Sequence, residues 1–203
     1  SQHPPVNGSS EAGMVKNVGA KTSASVTRYM NQNGYAKRVQ GYQWEFNLVN
    51  SNEANAWCMP GGKVVVYSGL LPITQDESSL AIVMGHEVAH AVARHGNERM
   101  SQMMVSTLGG MALDVALSQK SAETRSIFLT AYGAGSALGT LAYSRTHETE
   151  ADKLGLIFAA MAGYDPQKAI VFWERMASKG GAKPPELLST HPSDQTRIKN
   201  LKE

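Results

Sequence analysis

His86-Glu87-Val88-Ala89-His90 lies inside a strongly helical run and decides the fold of this chain of 203 residues. Because residues four apart lie on the same side of a helix, His86 and His90 project from one face. Two imidazoles at that spacing can bind one Zn²⁺, with a glutamate beside them to activate water. The competing interpretation is two ordinary helix histidines with Glu87 as a salt-bridge partner. The residue types and their spacing favour the zinc site.

The segment 144–152, Ser-Arg-Thr-His-Glu-Thr-Glu-Ala-Asp, offers the third protein ligand that a catalytic zinc requires. Glu148 and Asp152 are four residues apart and share a helical face. Glu148 is therefore the predicted metal ligand, and Asp152 the predicted carboxylate that orients a ligand histidine. Glu150 ranks second because it points elsewhere on the helix, and His147 is turned away from Glu148.

Glu87 is the predicted catalytic base. It follows His86 directly, so it does not share the direction of that side chain and is better placed beside the metal-bound water than on the metal. From there it takes the proton of the water and passes it to the leaving amine. The zinc lowers the pKa of the water and polarises the scissile carbonyl.

The composition is that of an ordinary folded protein, with 42% hydrophobic and 18% charged residues. A net charge of +2 gives no reason to expect nucleic acid or an acidic membrane surface as a partner. Cys58 is the single cysteine, so an internal disulfide and a zinc ribbon are both excluded.

The expected organisation is a flexible linker over 1–9, followed by one domain over 10–203. The first residues are typical of a trimmed start from which an export signal or a lipid anchor has been lost. The longest uncharged run, from Ser126 to Ala142, is only mildly apolar, which favours a tightly packed helix over a membrane span. Core packing is also the favoured role of the methionines, ahead of a promiscuous hydrophobic surface; they are Met100, Met103, Met104 and Met111.

Periodicity and turn signals predict an α+β fold that is mostly helical, with a small antiparallel sheet. The predicted strands lie around 44–48, 55–59 and 63–68. A capping box over 74–77 begins the helix that carries the histidines and runs to about 100. The other predicted helices cover 10–33, 101–118, 122–143, 146–162, 165–178 and 193–202.

Together these segments resemble the gluzincin zinc metallopeptidases of the HtpX and CAAX prenyl protease family, peptidase family M48. The resemblance is greatest to the soluble bacterial envelope members of the BepA and LoiP type. It covers the chain from about Gln40 to its end and depends on four segments in order. These are 55–62, the helix with His86 to His90, residues 144–152, and Thr190-His191-Pro192 followed by Arg197.

The resemblance implies that His86, His90 and Glu148 bind one zinc ion. It further implies that the edge strand around Asn55 and Ala56 binds the main chain of a substrate as an added strand. For Asn55 the alternative is a residue that simply ends a strand.

Two residues near the end of the chain carry further expectations from the family. His191 is expected near the zinc, either as a fourth ligand that displaces water or as a group that steadies the transition state; the alternative is a surface histidine. Arg197 is expected to stabilise the developing oxyanion, and the alternative is a salt bridge within a helix. His95 is out of phase with His86 and is expected to be structural.

The predicted activity is zinc-dependent endoproteolysis of unfolded or misassembled polypeptides, in protein quality control at a bacterial cell envelope. The alternative from another class is a chaperone-like binding protein whose zinc site is silenced by His191 and for which Glu87 is dispensable. A zinc hydrolase that does not act on peptides is disfavoured, because a strand beside the active-site helix suits a peptide backbone.

Overall fold

The computed structural model describes residues 4–179 together with 187, 191, 198, 199 and 201. Its helices are α1 (Ser10–Gln32), α2 (Ala36–Val39), α3 (Leu71–Thr74), α4 (Glu77–Ala93), α5 (His95–Ala116), α6 (Ala122–Met161) and α7 (Lys168–Ser178), with a 3₁₀ turn at Ser68–Leu70. Its strands are β1 (Glu45–Val49), β2 (Ala56–Met59) and β3 (Lys63–Tyr67). The predicted α+β fold, mostly helical with a small sheet, is confirmed.

The sheet is mixed, with strand order β1-β3-β2. β2 and β3 form the expected antiparallel hairpin, with Trp57 opposite Val65. β1 instead runs parallel to β3, with Asn47 opposite Val65, so the expectation of a wholly antiparallel sheet was wrong for this pair. A parallel pair needs a crossover. Here the long connection from Asn50 to Asn55 and β2 provide it.

Side-chain caps lie at the start of α1 and at the start of α4. The Ser9 side chain accepts a hydrogen bond from the Ala12 amide and caps α1. At the start of α4, the Asp76 carboxylate accepts from the Ser79 amide at 2.7 Å. The capping residue is therefore Asp76 and not Thr74, the first residue of the predicted capping box.

The helix that carries the two histidines ends earlier than predicted, because Arg94 adopts a left-handed conformation with φ of 66°. A left-handed residue cannot continue a right-handed helix, so α4 stops at Ala93 and α5 begins at His95. The opposite difference occurs in α6, which is continuous where two helices, 122–143 and 146–162, were predicted.

Two compact units make up the chain. The first, which we call the core unit, comprises Ser1–Ala93 and Thr149–Glu203. In it α1 packs on β1 and α4, while β2 and α7 also pack on α4. Burial of α4 on several sides explains why its apolar residues show little preference for one face, and Leu80, Met84 and Val88 are completely buried.

The second unit, which we call the hairpin unit, is Arg94–Glu148. It consists of α5 and the first part of α6, and the Tyr132 hydroxyl in α6 donates to the Ser106 carbonyl in α5 at 2.9 Å. Within the described residues, no helix combines the length and the apolarity that crossing a bilayer requires.

The prediction that the uncharged run and the methionines are packed in a core was wrong. In the hairpin unit the exposed fraction is 60–64% at Met100, Met103, Met104 and Met111, and 53–68% at Ile127, Phe128, Leu138 and Leu141.

Candidate metal centre

The two histidines of α4 lie on its innermost face. His86 is 2% exposed. Its ring and the Trp173 ring of α7 pack in a T-shaped arrangement, with their centroids 5.7 Å apart. The Nε2 atoms of His86 and His90 are 3.1 Å apart, so the four-residue spacing does bring both imidazoles to one point. No sequence signal links Trp173 to His86, since the two residues lie in different helices far apart along the chain.

A close crossing of α4 and α6 brings Asp152 to His86. A Cβ on Gly85 would lie 2.8 Å from the Gly155 carbonyl oxygen, and one on Gly155 would lie 2.8 Å from the His86 backbone nitrogen. Only glycines allow the two backbones to approach so closely. Asp152 precedes Gly155 by about one turn, and its Oδ1 is 3.0 Å from His86 Nδ1.

This contact determines which nitrogen of His86 faces the other histidines. Nδ1–H donates to the Asp152 carboxylate, so Nε2 carries the lone pair and points to His90. A carboxylate in this position fixes the tautomer and the orientation of the ring. The side chains of Asp152 and His86 are both buried, at 7% and 2% exposed.

His191 joins the two histidines of α4. Its Nδ1 is 3.3 Å from His86 Nε2, and its Nε2 is 3.4 Å from Glu87 Oε1. Its backbone amide donates to the Leu187 carbonyl, and the Leu187 amide donates to the Ala54 carbonyl next to β2. His191 is thus a partly buried neighbour of His86 and Glu87.

Ligand atoms of His86, His90, Glu148 and His191 all lie within 4.8 Å of one another. Ligands about 2.0–2.1 Å from a tetrahedral zinc are themselves about 3.3 Å apart. The separations from His86 Nε2 to His90 and His191, 3.1 and 3.3 Å, are close to that value. Three imidazoles and one carboxylate are also a donor set that zinc binds. The residues therefore fit a metal ion.

Glu87 is buried beside this cluster, at 4% exposed. Its charge also acts on Cys58 of β2. Burial, with a further contribution from Glu87, raises the pKa of the Cys58 thiol to about 12. The thiol is consequently neutral at physiological pH and is a weak nucleophile and a weak metal ligand.

The outer edge of β2 is available for an added strand, since no strand of the described part of the chain pairs with it. The carbonyls of Asn55 and Met59 face inward, accepting from Tyr67 and Gly62. In an antiparallel strand the intervening residues, Ala56 and Cys58, direct their backbone groups outward. The Asn55 side chain accepts from the Ala56 amide at 2.9 Å.

Other candidates lie apart from the cluster or outside the described residues. His147 is buried in the hairpin unit, stacks on His95 at 4.1 Å, and its Nε2 is 2.9 Å from Glu98 Oε2. This bond is the largest cause of the lowered pKa of the Glu98 carboxyl. Glu150 is exposed. Arg197 and most of the predicted helix 193–202 lie outside the described residues.

The hydrogen bond between His147 and Glu98 was not found by sequence analysis. The two residues are 49 positions apart, so no local spacing connects them.

Comparison with known proteins agrees with this geometry. The pattern of peptidase family M48 matches residues 20–203. The mitochondrial metalloendopeptidase OMA1 of Saccharomyces cerevisiae is 37% identical over 171 residues, covering 80% of this chain and 47% of the relative. OMA1 of Arabidopsis thaliana is 38% identical over 164 residues, covering 80% of this chain and 32% of the relative. The beta-barrel assembly-enhancing protease of Escherichia coli is 32% identical over 183 residues, covering 85% and 37%.

The chain thus spans half or less of the length of these relatives.

The relatives correct the expectation about cellular location. A bacterial cell envelope location was predicted, but relatives at 37 and 38% identity are mitochondrial metalloendopeptidases. The family resemblance therefore does not carry a cellular location with it, and that prediction was wrong.

The predicted family is confirmed by the match over residues 20–203, which include all four segments on which the resemblance depends. The chain belongs to peptidase family M48, the family of its metalloendopeptidase and protease relatives.

Proposed function

We propose that this chain is a zinc-dependent endopeptidase in which His86, His90 and Glu148 hold one zinc ion. The observation that carries the proposal is the convergence of their ligand atoms, with that of His191, within 4.8 Å, next to the buried carboxylate of Glu87. A zinc ion bound there supplies a Lewis acid and lowers the pKa of a water molecule toward neutrality.

Glu87 acts as the general base and then as the general acid. Its carboxylate takes a proton from the attacking water and gives it to the nitrogen of the departing amine. Burial beside the histidines keeps bulk water from competing for that proton. Asp152 holds the His86 ring through the 3.0 Å bond to Nδ1, so the lone pair of Nε2 stays directed at the cluster.

Substrate binding is assigned to the edge of β2. Cys58 offers its outward backbone groups and Ala56 its carbonyl to an extended peptide, and the Asn55 side chain, which accepts from the Ala56 amide, lies beside them. Backbone pairing of this kind tolerates many sequences, but the substrate must have free backbone N–H and C=O groups. Folded proteins use these groups internally, which supports unfolded or misassembled polypeptides as the substrates.

A second candidate is a binding protein with a latent zinc site. It is favoured by the 3.3 Å separation between His191 Nδ1 and His86 Nε2, which suits a fourth protein ligand in the place of water. His191 is the deciding residue, because as a group that steadies the transition state it would be needed for activity, whereas as a cap it would suppress activity. Arg197, the expected oxyanion partner, stays a prediction.

Cleavage of an unfolded protein such as casein tests the proposal. The zinc-loaded chain should cleave casein, and Glu87→Gln should lose at least about 10³-fold in rate while keeping its zinc, since the amide cannot accept the proton. Zinc content and circular dichroism of both proteins are the controls. If neither protein cleaves while both hold zinc, the endopeptidase proposal fails.

The His191→Ala variant separates the two candidates. Gain of cleavage would identify His191 as a cap. Loss of cleavage with zinc retained would identify it as part of the catalytic machinery.

A further inference from the structure

The hairpin unit has an unusual charge distribution. Residues 100–113 of α5 and 126–144 of α6 contain no charged side chain. The charges lie at the two ends of the hairpin, and at the turn Arg125 binds both oxygens of Asp114, at 2.5 and 2.6 Å. These two uncharged segments, which we call the shafts of the hairpin, have no charge on any side of either helix. Such a composition is typical of helices that are buried all round.

These shafts cover each other along only one stripe. Tyr132 of α6 lies against Gly109 and Gly110 of α5, and its hydroxyl donates to the Ser106 carbonyl. Eleven large apolar side chains on the remaining surfaces are 53–72% exposed. Elsewhere in the described chain, no large apolar side chain exceeds 49%. Two helices alone cannot cover so much apolar surface.

The exposed residues of α5 form a continuous ridge. Met100, Met104, Leu108, Met111 and Val115 follow one another at intervals of three or four residues, so they line one face of the helix. Long unbranched methionines in such a ridge adapt their shape to an opposing surface.

The exposed side of α6 contains a furrow. Gly135 and Gly139 are four residues apart and lie on one face of α6, and a Cβ added to either would meet no atom within 4 Å, so the backbone is open on this face. Leu138 borders this furrow and is 68% exposed. A ridge on one helix and a furrow on the next are complementary surfaces for packing of helix on helix.

The area is sufficient for a stable interface. With roughly 100 Å² of accessible area for a large apolar side chain, the eleven residues leave on the order of 700 Å² exposed. This is above the roughly 600 Å² that the largest patch on a typical monomer reaches. A standard interface takes about 800 Å² from each partner, somewhat more than half of it apolar.

We propose that the hairpin unit is the interface of a homodimer, in which the α5 ridge of each copy enters the α6 furrow of the other. Two hairpins then form a four-helix bundle, the simplest arrangement that turns both apolar faces inward. A two-fold axis uses the same ridge and furrow twice, so the chain needs no second partner. The uncharged shafts bury no charge, and the Asp114–Arg125 pair stays at the end of the bundle. This proposal does not depend on the proposed activity.

Sedimentation of the whole chain without lipid tests the proposal. The expected mass is twice the 21.8 kDa of one chain. Leu108→Glu puts an unpaired charge in the ridge and should weaken dimerisation on the order of 100-fold. Val171→Glu, at an exposed apolar position of α7 outside the hairpin unit, is the matched control and should leave the dimer unchanged.

The Gly135→Leu variant distinguishes dimerisation through complementary surfaces from nonspecific hydrophobic association. It makes the surface more apolar and favours the helix, yet it fills the furrow and should weaken dimerisation about tenfold. Circular dichroism shows whether each variant is folded.

Three outcomes would overturn the proposal. A chain that is monomeric at all concentrations has no such interface, and a dimer unaffected by Leu108→Glu and Gly135→Leu uses another surface. A monomer that floats with phosphatidylcholine vesicles, and does so more strongly as Gly135→Leu, would identify a lipid surface as the occupant.

Discussion

The candidate metal centre depends on how single side chains are held. His86 is in contact with four of them: Asp152 through Nδ1, His90 and His191 through Nε2, and Trp173 through the ring edge. With both nitrogens engaged and the ring buried, its imidazole has one orientation. Asp152 is not a proposed ligand. Its replacement therefore frees the His86 ring to change orientation while all the proposed metal ligands remain.

We expect Asp152→Ala to lower zinc affinity about 10–100-fold while the fold is retained, because the ring loses both its anchor and its carboxylate partner. Competition with a chelator measures the affinity. Glu150→Ala, at an exposed position two residues earlier on α6, is the control and should leave it unchanged. Equal losses in the two variants would argue against the role assigned to Asp152.

Among the helices and strands, two features position α4: the side-chain cap at its first turn and its close crossing with α6. The Asp76 cap orders the first turn. Burial raises the pKa of the Asp76 carboxyl, but hydrogen bonds from the Ser79 backbone and hydroxyl and the charges of Lys168 and Arg175 outweigh it, so the pKa lies below its usual value. The ionised carboxylate thus stabilises the folded state.

Asp76→Ala should lower the free energy of unfolding by about 1 kcal/mol at pH 7, a typical loss for an N-cap. A carboxyl with a lowered folded pKa contributes stability above its unfolded pKa and loses it as pH falls through the folded pKa. The difference between the two proteins should therefore shrink below about pH 4. Urea unfolding of both proteins at pH 7 and below about pH 4 measures the difference in their free energies of unfolding.

Glu11→Ala, in the first turn of α1 where Ser9 is the cap, is the comparison for this prediction. If the free energy of unfolding lost in Asp76→Ala were the same at acid pH as at pH 7, the ionised carboxylate would not be the source of the stability.

The crossing of α4 and α6 leaves no room for a side chain. Gly155→Ala should destabilise the protein by about 1–3 kcal/mol, because its Cβ would meet the backbone of His86 and push the helices apart. Zinc affinity should fall with it as Asp152 moves away from His86. Gly13→Ala, in α1 with open space around its Cβ, should instead be neutral or stabilising. Thermal unfolding of the pair is the measurement, and similar effects of both would contradict a tight crossing.

At the scale of the whole molecule, the metal centre links segments far apart in sequence. The predicted ligands come from α4 and α6, and His191 from the end of the chain, so only the folded protein assembles them. A ligand that binds only the folded state stabilises it by an amount that grows with its concentration.

Zinc at about a thousandfold above its Kd should therefore add roughly 4 kcal/mol to the free energy of unfolding. For a chain of this size the melting temperature rises about 2–4 °C for each kcal/mol. Differential scanning calorimetry with zinc and with a chelator measures the shift. Magnesium is the control and should give little shift, because it prefers oxygen ligands. An equal melting temperature with and without zinc would contradict a buried zinc site.

The sequence by itself determined what depends on neighbours along the chain. The spacing of His86 and His90, and of Glu148 and Asp152, specifies shared helix faces because the helical repeat is a property of the backbone. The approximate bounds of α1 and the β2–β3 turn followed from hydrophobic periodicity and turn signals for the same reason. These local signals were sufficient for the fold class, the family and the candidate ligands.

Only the tertiary structure decided what depends on packing between distant segments. Arg94 is not a glycine, so nothing local marked the left-handed residue that ends α4. The parallel pairing of β1 with β3, the bond between His147 and Glu98, and the exposure of the α5 methionines likewise depend on which surfaces meet. An apolar helix face has the same sequence pattern whether its partner is the same chain or another one, so only the fold shows that the hairpin unit leaves this face uncovered.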